Sequence, residues 1–199
     1  MNKRIFLDVG AHRGQTLAAV LPLDFDRIHC FEPVRDCWID LRRLADRRTV
    51  IEPFGLWAGE NGQARIFDPG TMGAGLWIKD KRRRDLPVQT ESCYFRNAVE
   101  WFRENVKAED TVYLKLNCEG CECEIIDSLL HNGEFTRKVD YMMVDFDARK
   151  ISQLHETMQR TQRHLRLMNC HAPHVLTSRE AMIGETHAER IRHWIGMTR

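Results

Sequence analysis

The chain reads as an α/β protein, a mostly parallel sheet with helices on both faces, and three observations predict it. Strand-like runs alternate with helical patterns, which implies parallel strands joined by crossover helices. The run Ile5-Phe6-Leu7-Asp8-Val9 is apolar but for one acid and is closed by Gly10. That is the pattern of a buried central strand whose carboxyl end delivers a ligand site. A second run, His29-Cys30-Phe31, ends in Glu32-Pro33 and so puts a carboxylate at the end of the next strand.

Taken in order, Arg4–Val9 is the first strand, residues 10–14 form a glycine-bracketed turn, and Gln15–Leu21 is the first helix. Arg27–Phe31, Thr49–Pro53, Ala64–Phe67, Thr111–Leu116 and Tyr141–Phe146 are the further strands. Helical patterns cover Arg35–Ala45, Val99–Asn105, Glu122–His131, Ile151–Arg166 and Ala188–Met197. The rest of the stretch from Leu167 to Arg199 carries no readable pattern. Between the strands, Pro69 to Trp77 is a glycine-rich loop, read equally as a lid over a site or as a hairpin turn. Lys79 to Arg84 is a basic run, read chiefly as a solvated surface and otherwise as a contact for a phosphate or anionic glycan.

A chain of 199 residues with 43% hydrophobic content suffices for one sizeable core. No repeat, low-complexity tract or linker separates a second unit, so residues 1–199 are expected to form one domain. Thirty basic against twenty-nine acidic residues call for neither nucleic acid nor a membrane surface. No apolar run approaches the roughly 20 residues of a transmembrane helix, and Asp8 interrupts the one N-terminal candidate for a signal sequence. The expected location is the cytoplasm. Seven cysteines, an odd number, sit mostly inside strand-like or motif segments, which fits a reducing compartment and buried thiols. Cys118, Cys121 and Cys123 offer a metal three thiolates, with Cys170 or His171 as a fourth ligand only by accident of the fold. Packing at the start of a helix is the expected use of the three, and no metal site is expected.

The turn from Gly10 to Gly14 narrows the ligand. A side chain at Gly10 is expected to collide with a ligand over the strand end, and Gly14 to let the first helix pack close to the sheet. Glu32 is placed to accept both hydroxyl protons of a ribose. A dinucleotide fingerprint counted from Gly10 requires glycines where His12 and Gln15 stand. A crowded loop preceded by Asp8 suits instead a ligand without pyrophosphate and with a cationic group. S-adenosylmethionine meets that description. Phe54 to Leu56, after the third strand, are expected against its adenine or in the core.

Four segments carry a family resemblance: Phe6-Leu7-Asp8-Val9-Gly10-Ala11-His12-Arg13-Gly14, Phe31-Glu32-Pro33, Gly55-Leu56-Trp57-Ala58-Gly59-Glu60-Asn61-Gly62, and Leu114-Lys115-Leu116-Asn117-Cys118-Glu119-Gly120-Cys121-Glu122. In this order they resemble the FkbM-type class I methyltransferases over roughly residues 4 to 147, the last segment being the more specific. The resemblance implies a Rossmann-like fold that binds S-adenosylmethionine and moves its methyl group, usually to a hydroxyl. It implies donor contacts from Asp8, Gly10, Ala11, His12, Arg13, Gly14, Thr16, Glu32, Pro33, Gly55, Leu56 and Asn117. The family commonly has Asp where this chain has Asn117. It also ends in an antiparallel strand pair, for which this tail is short.

A hydroxyl acceptor must lose a proton, so a base is required. Glu119 and Asp145 are the first candidates, followed by Asp147, His155 and His171. Asp145 and Asp147, two apart on a strand end and so facing the same way, suit a divalent ion, a substrate hydroxyl or the cap of the next helix. By strand alternation Lys115 points away from its neighbours Leu114 and Leu116, half-buried beside an acid. Glu122 suits the start of its helix. The expected acceptor is a small molecule, sugar or peptide group. The alternatives are N-methylation of an amide or amine, which Asn117 favours, and a module that holds the adenosyl ligand without turnover. No Asn/Asp-Pro-Pro-Tyr segment of DNA adenine methylation stands at Asn117, and no aromatic and basic stripe of an RNA reader is present.

Overall fold

A computed structural model describes residues 2–79, 87–167, 174–175 and 187–197. Its main sheet holds β1 (Arg4–Val9), β2 (Arg27–Phe31), β3 (Thr49–Glu52), β7 (Thr111–Leu116), β8 (Tyr141–Val144) and β9 (His174–Val175). The order is β3-β2-β1-β7-β8-β9 and every pairing is parallel. From β1 the chain moves to one side for β2 and β3, then returns to the other side at β7. The order therefore reverses between β1 and β7, and a crevice opens outside their carboxyl ends.

The helices are α1 (Gln15–Val20), α2 (Cys37–Leu44), α3 (Ala98–Asn105), α4 (Glu122–His131), α5 (Glu134–Lys138), α6 (His155–Leu167) and α7 (His187–Met197). They lie on both faces, and β1 shows why its sequence is nearly all apolar. Ile5, Leu7 and Val9 enter one core with Trp101 and Phe102 of α3 and Ile125, Ile126 and Leu129 of α4. Phe6, between them, enters the opposite core with Leu17 and Val20 of α1 and Ile191, Trp194 and Ile195 of α7. A strand covered on both faces has no solvated side to mark with polar residues. Asp8 is the exception, and it falls on the α1/α7 side.

A smaller sheet, not expected from the sequence, joins β4 (Gly55–Trp57), β5 (Gly62–Phe67) and β6 (Thr90–Asn97) in the order β4-β6-β5. β5 runs antiparallel to β6 and β4 parallel to it. Its inner side chains Ile66, Cys93 and Phe95 form a third cluster with Val34 and Cys37. At the end of β6, the Asn97 side chain accepts the Glu100 N–H at 3.0 Å and caps α3.

The expected helix Ile151–Arg166 begins later. Ile151 is extended, 3-10 turns span Asp147–Lys150 and Ser152–Leu154, and α6 starts at His155. The helical pattern of Ala188–Met197 corresponds to α7, which begins one residue earlier. The basic run beyond Lys79, and Cys170 and His171, lie outside the described residues. Among the described residues, no helix is long and apolar enough to cross a membrane.

Candidate functional site

The crevice at the β1/β7 reversal is a cleft with an apolar wall and a polar end. Val34, Leu56, Ile66 and Phe95 supply apolar wall, while His12, Thr16, Glu32, Lys115, Asn117, Glu119 and His187 bring polar groups to it. The small sheet forms one side. There Gly55 lies flat on the Phe95 ring, where a Cβ would overlap the ring atoms. Phe54 turns instead into the core against Phe31, at 6.0 Å between ring centroids, so only Gly55 and Leu56 of that segment reach the cleft.

The turn after β1 is built by its own backbone. Gly10 N–H and Ala11 N–H both donate to Phe31 O, at 3.1 and 3.0 Å, and Gly14 N–H donates to Ala11 O at 2.9 Å. His12 holds a left-handed φ of 48° and donates its N–H to Glu32 Oε2 at 2.8 Å. The other carboxylate oxygen of Glu32 accepts Val34 N–H at 2.8 Å. Both oxygens are thereby fixed at the wall, and burial pushes this carboxyl up to about 7.

The two glycines work differently from their sequence reading. Gly10, at φ 81°, has no room for a Cβ because the Asn117 carbonyl oxygen occupies that place. The constraint is the protein backbone just past β7, not a ligand. Gly14, at φ 91°, faces Leu41 and Leu44 of α2, so it allows helix-to-helix rather than helix-to-sheet approach.

Asp8, fully buried, meets Lys115 rather than the open cleft. Lys115 Nζ lies 2.8 Å from Asp8 Oδ1 and donates to Gly10 O at 2.9 Å. Lys115 is itself buried, not half-buried as alternation alone suggests. Asp8 Oδ2 and the buried Asn117 Oδ1 have no hydrogen-bond partner among the described residues. Arg13 is exposed and donates to Asp40 at 2.6 Å, outside the cleft. Ala11, Thr16 and Pro33 do line it.

The loop after Asn117 is folded by Glu122. Buried at the start of α4, its carboxylate accepts Cys118 N–H at 3.0 Å and Gly120 N–H at 3.0 and 3.1 Å, and burial raises it to about 7. That fold sets Glu119 at φ 57° on the cleft wall, between Lys79 Nζ at 2.6 Å and Lys150 Nζ at 3.4 Å. Lys150 also reaches Asp147 Oδ1 at 2.7 Å. Asp147 is raised to about 6, by burial first and then by the Glu119 charge. Asp145 pairs with Arg149 and does not line the cleft. Cys118 and Cys121 line it, their mutual hydrogen bond and burial raising the Cys118 thiol. Cys123 faces Thr161 of α6, so the three thiols do not converge.

The glycine-rich loop folds back on β5 through Phe67 N–H to Gly75 O at 2.8 Å and Gly75 N–H to Phe67 O at 3.2 Å. It also walls the cleft, with Gly70 O 3.2 Å from His12 Nε2 and Gly75 packed on the Glu119 backbone. It combines the hairpin and covering geometries.

One polar residue of the cleft carries no sequence signal. His187 opens α7, and its Nε2 lies 2.7 Å from Thr16 Oγ1. Burial and the Lys115 charge lower its imidazole to about 4. A single histidine at a helix start gives no hint of a partner 171 residues away.

No family model matches the chain, and neither a curated protein nor a solved structure matches it.

Proposed function

We propose that this chain is an S-adenosylmethionine-dependent methyltransferase of Rossmann-like fold, acting on a hydroxyl of a small molecule, sugar or peptide group. The observation that carries the reading is how the turn between β1 and α1 uses its N–H groups. Those of Gly10, Ala11, His12 and Gly14 are already spent on Phe31 O, Glu32 and Ala11 O. A diphosphate is held by free backbone N–H groups, and this turn offers few. Glu32, in contrast, keeps lone pairs. Each of its oxygens accepts one backbone bond and retains capacity for another, the number that two ribose hydroxyls need. The wall of Leu56, Ile66 and Phe95 suits an adenine face.

The donor supplies a methyl group that is already activated. The chain's residues therefore bind, orient and exclude water rather than form covalent bonds. A proton must still leave the acceptor, and Glu119 is the carboxylate on the cleft wall for that task, held in place by Lys79 and Lys150. Asp145, tied to Arg149 off the wall, is set aside.

A second reading, an adenosyl-binding module without turnover, is favoured by one observation. Residue 117 is an amide, and Glu119, the carboxylate beside it on the cleft wall, is engaged by two lysines.

Calorimetry with S-adenosylmethionine and S-adenosylhomocysteine tests the common part of both readings. Binding of both, abolished by Glu32→Ala, is the expected result; binding of NAD in their absence would overturn it. Transfer of labelled methyl to any member of a hydroxyl and amine panel then separates enzyme from module.

A further inference from the structure

The polar end of the cleft is completed by the far end of the chain. Ile191, Trp194 and Ile195 of α7 are buried with Leu17 and Val20 of α1, and Trp194 meets Phe6 of β1 at 6.2 Å between centroids. This packing carries His187 to the cleft wall. Around it stand Thr16, whose hydroxyl holds the ring at 2.7 Å, and the Lys115–Asp8 pair, whose two charges both act on the ring. Asn117 Oδ1 and Asp8 Oδ2, both buried, lack a donor among the described residues.

We propose that His187 is a specificity-determining residue, which together with Thr16 and Lys115 makes the cleft select an adenosyl ligand bearing an α-amino-carboxylate tail over a bare nucleoside. The inference rests on the reading of the cleft as a methyl-donor site. A zwitterionic tail brings one ammonium and one carboxylate. Asn117, on the cleft lining, brings an Oδ1 acceptor that lacks a donor among the described residues, as an ammonium requires. Lys115 Nζ has three donors, of which Asp8 Oδ1 and Gly10 O take two, leaving one for a carboxylate.

His187 adds polar capacity without adding charge. Its burial beside Lys115 keeps the ring neutral at ordinary pH, so it adds no second cation beside Lys115. A protonated ring there would place a second cation next to Lys115 and oppose a sulfonium ligand. Thr16 fixes the ring through one nitrogen, and the orientation of the other follows from that bond.

The test is calorimetry of the full chain with S-adenosylhomocysteine, 5′-methylthioadenosine and adenosine, the last two lacking the tail. The intact protein is expected to bind S-adenosylhomocysteine at least about tenfold more tightly than the other two. His187→Ala is expected to remove about a factor of ten from S-adenosylhomocysteine alone, leaving 5′-methylthioadenosine within about twofold, and His187→Gln to recover part of the loss. Equal weakening of all three ligands in His187→Ala, or none, would overturn the proposal, since mere support of α7 affects every ligand alike. Absence of all three from the intact protein would instead bring down the methyl-donor reading, and this inference with it.

Discussion

Asp8 and Lys115 are direct partners across the parallel β1–β7 pair, and one ammonium ties the carboxylate of the first strand to the carbonyl of Gly10 in the turn that follows. Both side chains are withdrawn from water, so neither is tolerable without the other. Lys115→Met is expected to cost about 3–5 kcal/mol in denaturant unfolding. Adding Asp8→Asn to it should recover a large part, because the stranded charge is then gone. Additive losses in the double variant would show that the pair is not coupled.

Gly10→Ala and Gly14→Ala separate two kinds of tightness. At Gly10 the new methyl meets the Asn117 backbone carbonyl at a positive φ, and neither can give way. At Gly14 it meets Leu44 Cδ1 at 2.6 Å, the movable end of a side chain. Thermal or denaturant melts should show Gly10→Ala losing at least about 3 kcal/mol and Gly14→Ala about 1–2 kcal/mol. The reverse ranking would contradict the packing described here.

Adenosyl-ligand affinity should depend on the protonation of Glu32. Burial sets this carboxyl near 7 in the open cleft; the ionised form accepts from both ribose hydroxyls, whereas protonation turns one oxygen into a donor. Affinity is therefore expected to rise with pH up to about 7 and level off above, falling toward tenfold per unit on the acid side. Calorimetry across this range checks the slope. Glu32→Gln should bind weakly and without it, while Glu122→Gln should keep it.

Glu122 makes a separate statement about stability. Its folded carboxyl lies near 7 against an ordinary 4.5, so between these values the folded chain holds a proton that the unfolded chain has released. Stability is then greatest below about 4.5, falls as pH rises through 7, and is constant above. The full span is on the order of 3 kcal/mol. Glu32 and Asp147 act in the same direction. His187, lowered to about 4, acts in the opposite one up to 6.5. The difference between unfolding curves of the intact chain and Glu122→Gln isolates the Glu122 share, and a pH-independent difference would refute it.

What could be read in advance follows from how the elements are buried. Strands β1, β2 and β7 and helix α4 have the bounds that the sequence implies, because each is apolar or amphipathic up to a sharp boundary such as Gly10 or Gly120. Lys115 beside an acid was legible from alternation alone, since parity puts it on the Asp8 side of the sheet. The small sheet was not. β4 has three residues, one of them glycine, and in β6 only Cys93 and Phe95 are buried among exposed or half-exposed neighbours. The cleft was half legible. Glu32, His12 and Asn117 announce themselves by position after strands, but the engagement of Arg13 with Asp40, of Asp145 with Arg149, and of Thr16 with His187 depends on tertiary packing that no local pattern encodes.

The contact between Thr16 and His187 also has a kinetic side. Thr16 leaves a ribosome long before α7 exists, and the polar end of the cleft stays unfinished until α7 docks on α1. Such distant closure is a late and slow event in folding. A nascent chain stalled ahead of α7 lacks the His187 side of the cleft, so the Thr16–His187 contact reports the docking of α7.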